Sequence, residues 1–107
     1  VIDSTEWGRQ VESAVGAHLA NRSLLDGFEL LYWRNDKKEE CDYVLKKGQA
    51  LVAIEVKSSG ADDTKGYEKF KELYAEDITS AFLVGPEGLP LEDFFSIDLK
   101  TLFRKKR

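Results

Sequence analysis

The chain has no methionine, one cysteine, one histidine and two prolines among its 107 residues. A single thiol, Cys41, cannot close an internal disulfide, which fits a reducing compartment such as the cytoplasm. With so few Cys and His residues there is no Cys/His metal site, and neither a phosphate-binding loop nor a Ser-His-Asp set can be read. Pro86 and Pro90 both fall late, and no Pro-rich linker, internal repeat or low-complexity tract divides the chain. No apolar run approaches the roughly 20 residues needed to span a bilayer, and no signal-peptide pattern opens the sequence. Because it starts on Val1 and holds no Met, we read the chain as a piece of a longer protein, forming one domain over residues 1–107.

What is present argues for a packed fold. A hydrophobic fraction of 42% with 11% aromatics is too rich for a disordered segment, and the length suits one domain with one core. The net charge of −4 counts against tight nonspecific nucleic-acid binding by this chain alone, since such domains usually carry a basic face. The basic end Arg104-Lys105-Lys106-Arg107 reads more simply as a solvated tail than as a DNA contact.

The first element is a predicted helix. Asp3-Ser4-Thr5-Glu6 has the capping-box pattern, with Asp3 or Ser4 as N-cap. Trp7, Val11, Ala14, Val15 and Leu19 follow at helical spacing. The helix is expected to fade near residues 21–25 and to end at the Asp26-Gly27 turn. Three strands follow, over residues 28–34, 40–46 and 50–58, joined by a charged turn at 35–39 and a tight turn at Lys47-Gly48-Gln49. Residues 59–63 form a loop, residues 64–75 a second helix, and residues 78–84 a fourth strand. Residues 91–103 are ambiguous and read as a short strand and a short helix. Short turns make the first three strands an antiparallel meander, and the β-α-β step sets the fourth parallel to the third. The expected fold class is therefore α/β: a three-layer α/β/α domain with a mixed sheet of four to five strands and an α-β-β-β-α-β core.

One cluster carries chemistry. In Glu55-Val56-Lys57 the two charged residues share a strand face, although an ordinary Glu–Lys pair at a strand end is the plainer reading of the tripeptide alone. A two-residue turn at Gly48-Gln49 pairs residue 47 with 50, and the same register puts Asp42 across from Glu55. Two carboxylates facing each other destabilise a sheet unless a cation lies between them, either Lys57 or a divalent metal. Hard oxygen ligands suit Mg²⁺ or Mn²⁺. A one-residue slip would move Asp42 to the other face. Glu12 sits about 100° from Val11 on the helical wheel, at the edge of the apolar stripe. Gly8 and Gly16 flank it one turn away, which suits either tight helix-to-sheet packing or room for a ligand.

Those residues carry a family resemblance. Gly8-Arg9-Gln10-Val11-Glu12 resembles the opening helix of PD-(D/E)XK domains. Leu31-Tyr32-Trp33-Arg34, Glu40-Cys41-Asp42-Tyr43-Val44-Leu45 and Ala53-Ile54-Glu55-Val56-Lys57-Ser58-Ser59 continue the pattern in order. Over residues 6–84 the chain is similar to the DUF4143 domain, found C-terminal to an AAA-type ATPase module in prokaryotic proteins. The resemblance implies a restriction endonuclease-like fold and Mg²⁺- or Mn²⁺-dependent hydrolysis of DNA. It assigns Asp42 and Glu55 as metal ligands, and gives Glu12 a part through metal or water. Lys57 would orient water or stabilise developing negative charge. Its partners would be DNA and an ATPase module in the same full-length chain, with no membrane. Cys41 departs from the pattern, where an aliphatic residue is common, and reads as a small buried hydrophobe.

The alternative is a module that keeps the fold and charges but serves DNA binding, protein interaction or regulation of an ATPase without catalysis, because fold does not establish activity. His18, on the stripe of the first helix, reads as a satisfied interface histidine. Trp7, Tyr32, Trp33 and Phe82 read as core or domain-contact residues. Ser58 and Ser59 mark a strand exit that could meet a phosphate, and Lys65 and Lys69 either line a DNA groove or face solvent.

Overall fold

The computed structural model describes residues 4–57 and 64–104, the side chains of residues 4–7 excepted. The Asp3 cap, the Trp7 side chain, Ser58, Ser59, the 59–63 loop and the last three residues of the basic end lie outside that description. Helix α1 spans Ser4–Asp26, followed by strands β1 (Glu29–Arg34), β2 (Glu40–Lys47) and β3 (Ala50–Val56). Helix α2 (Lys65–Leu73), strand β4 (Ile78–Val84), helix α3 (Leu91–Ser96) and a 3-10 turn over Leu99–Phe103 complete the order. The α-β-β-β-α-β succession and the strand positions agree with the sequence expectation to within two residues.

The sheet is mixed and four-stranded, in the order β1-β2-β3-β4. β1, β2 and β3 run antiparallel in turn, and β4 lies parallel to β3. Lys47 pairs with Ala50 and Lys46 with Leu51, the register that the tight turn dictates. Gly48 leads that turn at φ +61°, a conformation that glycine adopts without a Cβ penalty.

Alternation along β3 supplies two cores. Val52 and Ile54 join Val15 and Leu19 of α1, Leu45, Val84, Phe94 and Leu99 in one buried cluster. Ala53 points the other way, into a smaller cluster with Cys41, Val44, Tyr67 and Phe70. The sheet is thus covered by α1, α3 and the 3-10 turn on one face and by α2 on the other. Each fully buried Leu, Ile, Val or Phe contributes about 1.5–3 kcal/mol, so the larger cluster dominates the stability of the fold.

Three expectations are corrected. Helix α1 does not fade at residues 21–25; it runs to Asp26. Arg22 grips Asp26 there, Nη2 to Oδ1 at 2.7 Å and Nε to Oδ2 at 3.2 Å, and Gly27 at φ +72° turns the chain away. Leu24 and Leu25 consequently sit on an exposed helix face. Ala14 is exposed, so the buried stripe of α1 is Val11, Val15 and Leu19. Residues 91–103 hold no strand; they form α3 and the 3-10 turn, each of which buries one large apolar side chain, Phe94 and Leu99, against the larger core. Thr79 Oγ1 donates to the Leu102 carbonyl at 2.7 Å and ties this segment to β4.

Candidate functional site

The site begins with an irregularity between β1 and β2. Leu31 pairs with Val44 and Trp33 with Cys41, so Asp42 and Tyr43 together oppose Tyr32. A bulge of this kind re-aims side chains. It explains how Cys41 and Val44, three residues apart, both enter the smaller core. Asp42 lies between them, at the point where regular pairing with β3 ends at Tyr43–Ile54.

Beyond that point carboxylates replace the ladder. The Asp42 amide donates to Glu55 Oε1 at 2.9 Å, and the Val56 amide donates to Asp42 Oδ2 at 2.8 Å. Each acid therefore binds the other strand's backbone. Glu55 is buried, at 5% exposure. Its pKa is raised from 4.5 to about 8, chiefly by burial. The backbone amide of Asp42 partly opposes that rise, while the Asp42 carboxylate and Glu12 add to it. Around neutral pH the Glu55 carboxyl holds a proton against its acidic neighbour, the usual outcome when two carboxylates share one site.

Glu12 joins from the opposite face. Its side chain is exposed, and its pKa is raised by burial, then by Asp42 and Glu40. The Tyr43 hydroxyl donates to the Glu12 carbonyl at 2.9 Å and pins α1 over β2. Gly16 makes room for that contact: a Cβ there would sit 2.7 Å from the Tyr43 hydroxyl. Tight helix-to-sheet packing accounts for this glycine. The three carboxylates thus feel one another's charge at one end of the sheet, with Asp42 and Glu55 in direct contact and Glu12 standing off. Among the described residues no three Asp, Glu, His or Cys side chains are gathered closely enough to hold a metal ion.

Lys57 lies one residue past the end of β3, and its side chain is not brought beside Glu55 in the cleft. Its side chain is mostly covered, at 14% exposure, and its ammonium lies 3.9 Å from Glu87 Oε2 in the turn after β4. It does not line the cleft of about 410 Å³ that Asp42 and Glu55 floor. That cleft is walled by Lys37, Lys38 and Glu39 from the β1–β2 turn, by Glu40 at the start of β2, and by Lys65 and Gly66 from α2. Lys65 is a candidate groove residue from the sequence, whereas Lys37 and Lys38 are visible there only as part of a charged turn. The available signal was their place in the turn that feeds the Asp42 strand.

Gly66 is what sets α2 here. A Cβ at this position would overlap the Glu40 backbone, so only glycine lets the helix start against β2. Farther along α2, Trp33, Val44, Leu51, Phe70 and Tyr74 line a second, largely apolar cleft of about 320 Å³. Trp33 is half-buried there, while Tyr32 is 72% exposed.

Two other residues are placed plainly. Burial pushes the Cys41 thiol up to about 12, with Glu55 and Asp42 adding to the rise, so it stays protonated and unreactive. His18 packs edge-on against Phe94 and Phe95 at 5.5 and 5.1 Å. It is an interface histidine as expected, but not a satisfied one: its Nε2 is buried without a hydrogen-bond partner. Burial, then Arg22, lowers its pKa and favours the neutral ring.

Fold and site together define an α/β domain with a paired-carboxylate cleft at one end of a mixed sheet. The chain belongs to the DUF4143 family, a domain of unknown function, whose family model matches residues 7–100. No curated protein and no solved structure is significantly similar to it. No described helix is long and apolar enough to cross a membrane.

Proposed function

We propose that this chain is a Mg²⁺-dependent DNA phosphodiesterase domain of the PD-(D/E)XK type, with restriction endonuclease-like layering, working in the same polypeptide as an AAA-type ATPase. The observation that carries the reading is the Asp42–Glu55 pair, two carboxylates bonded to each other's strands on the floor of a cleft walled by lysines and glutamates. The donor set fits the ion. Mg²⁺ is commonly held by one or two carboxylates, with water and substrate phosphate completing its shell. A carboxyl whose pKa is raised by burial, and further by an adjacent acid, is one whose ionisation a cation would favour. Asp42 and Glu55 would hold the ion, with Glu12 acting through water. Mn²⁺ would serve in its place.

A bound metal would supply a water of lowered pKa and charge stabilisation at the phosphate. The chain's own residues supply the rest. Asp42 and Glu55 fix each other through the crossed backbone bonds and are already positioned before substrate arrives. Lys57, two residues beyond Glu55, can orient the attacking water or offset developing negative charge once its ammonium leaves Glu87.

Metal-dependent cleavage of DNA tests the proposal. Wild-type protein is expected to cut with Mg²⁺ or Mn²⁺ and not with EDTA, and Lys57→Ala, Asp42→Asn and Glu55→Gln to lose about 100-fold or more, the scale for removing one transition-state charge stabiliser. No metal-dependent cleavage, or equal cleavage by the variants, overturns it. Titration calorimetry with Mn²⁺ tests the metal site separately.

A second reading has its own support: a non-catalytic module for DNA binding, protein interaction or regulation. The Lys57 ammonium lies toward Glu87 and off the cleft, and the net charge is −4. Mn²⁺ binding without cleavage would select it.

A further inference from the structure

The turn between β1 and β2 is built more firmly than a connection requires. Asn35 Oδ1 accepts from the amides of Lys37 and Glu39, both at 3.0 Å. Asn35 Nδ2 donates to Glu39 Oε1 at 2.9 Å. The Asn35 amide donates to the Glu39 carbonyl at 3.1 Å, and the Lys38 amide to the Asn35 carbonyl at 3.1 Å. One asparagine thus ties down the whole five-residue turn.

Within it, Lys38 takes φ +63°, the one positive φ at a non-glycine residue among those described. Glycine or asparagine would hold this left-handed position with less strain. Strained positions of this kind cluster at binding and catalytic sites, held there by the structure around them. The turn itself gains nothing from a lysine at this point. The cleft does: Lys37 and Lys38, with Glu39 and Glu40, form one wall above Asp42 and Glu55, and Lys65 stands on the other wall at the first residue of α2.

The geometry assigns the 35–39 turn as a preorganised phosphate clamp, in which Lys37 and Lys38, with Lys65 across the cleft, hold the phosphodiester backbone of a nucleic acid over the paired carboxylates. This deepens the nuclease reading and rests on it for the role of the floor. Lysines on both walls, with Glu39 and Glu40 set among them, and the paired acids on the floor match a strand whose flanking phosphates meet the lysines.

The test is equilibrium binding of a fluorescein-labelled DNA duplex, and of its single strands, to the full chain in EDTA across a salt titration. Lys37→Gln/Lys38→Asn removes both charges while asparagine keeps the left-handed turn. Lys100→Gln, in the 3-10 turn on the other face of the sheet, serves as the charge-loss control. The expected result is a loss of about tenfold in affinity for the double variant. Its log affinity against log salt slope should be shallower by about 1.8 on duplex, roughly 0.9 for each phosphate no longer neutralised. Its melting temperature should be equal or higher, which a purely structural role for Lys38 does not allow. Wild-type protein that binds neither DNA form, or a double variant that binds like Lys100→Gln, overturns the assignment. Cleavage is scored separately. Protein that binds through the two lysines without cutting keeps the clamp and loses the nuclease reading, and protein that cuts but binds indifferently to both lysines does the reverse.

Discussion

Glu55 is a buried acid held beside another acid, and that arrangement makes stability depend on pH. Its folded pKa of about 8 stands above the ordinary 4.5, so the folded state binds this proton more tightly than the unfolded chain does. The associated stability is fully present below about pH 4.5 and is lost as pH rises through about 8. Glu55→Gln keeps an acceptor for the Asp42 amide and cannot ionise. Its melting temperature, followed by circular dichroism, should match that of wild type near pH 5 and exceed it near pH 9. A wild-type advantage at pH 9 would contradict the assignment of burial as the dominant cause. The facing of Asp42 and Glu55 was legible in the sequence because a two-residue turn led by Gly48 leaves one register for the hairpin. The bulge opposite Tyr32 was not legible, since nothing local in Cys41-Asp42-Tyr43 announces an unpaired residue; packing of Cys41 and Val44 into one core decides it. The direction of Lys57 was hidden for the same reason, because Glu87 reaches it from thirty residues away in the chain.

At the scale of elements, glycine decides how α2 meets the sheet. Gly66 lies against the backbone of Glu40, where a Cβ would overlap main-chain atoms that have no room to move aside. Gly66→Ala must lift the start of the helix away from β2, and overpacking of this sort costs about 1–3 kcal/mol or more. We expect a lower chemical-denaturation midpoint with weaker Mn²⁺ binding, since α2 forms one wall of the cleft. An unchanged midpoint would show that the helix rides over the strand without touching it there. Elements with strong periodicity and turn chemistry, such as β4 over 78–84, were legible to the residue. The far end of α1 and the 91–103 segment were not. Polar residues at 21–23 and the Leu-Pro-Leu start of α3 carry weak local preferences, and the outcome is set by the Arg22–Asp26 pair in one case and by burial of Phe94 and Leu99 in the other.

Across the whole molecule, two unequal cores share one sheet, and the candidate site sits beside the smaller one. Cys41, Val44, Ala53, Tyr67 and Phe70 make up that core, and α2 is only nine residues long. The larger core fixes the sheet, while the cover over the cleft depends on a single short helix. Such lightly covered regions open at lower free energy than the rest of a domain. Family membership was legible from the ordered motifs between residues 8 and 59, whereas the clamp turn was not, because its content lies in the hydrogen bonds of Asn35 and the backbone angle of Lys38.

The crossed bonds of Asp42 and Glu55 have one more consequence. Two main-chain amides, those of Asp42 and Val56, are shielded by side chains and not by a neighbouring strand. Their exchange with solvent deuterium therefore follows the fate of the carboxylates, while the amide of Val52, deep in β3, follows unfolding of the sheet. Asp42→Ala should speed exchange at Val56 by about tenfold, the equivalent of one lost hydrogen bond, and leave Val52 unchanged. Equal acceleration at both would mean that the whole strand had loosened. Read by NMR during a metal or DNA titration, this pair of amides gives a direct readout of what the acids are doing, with no activity assay required.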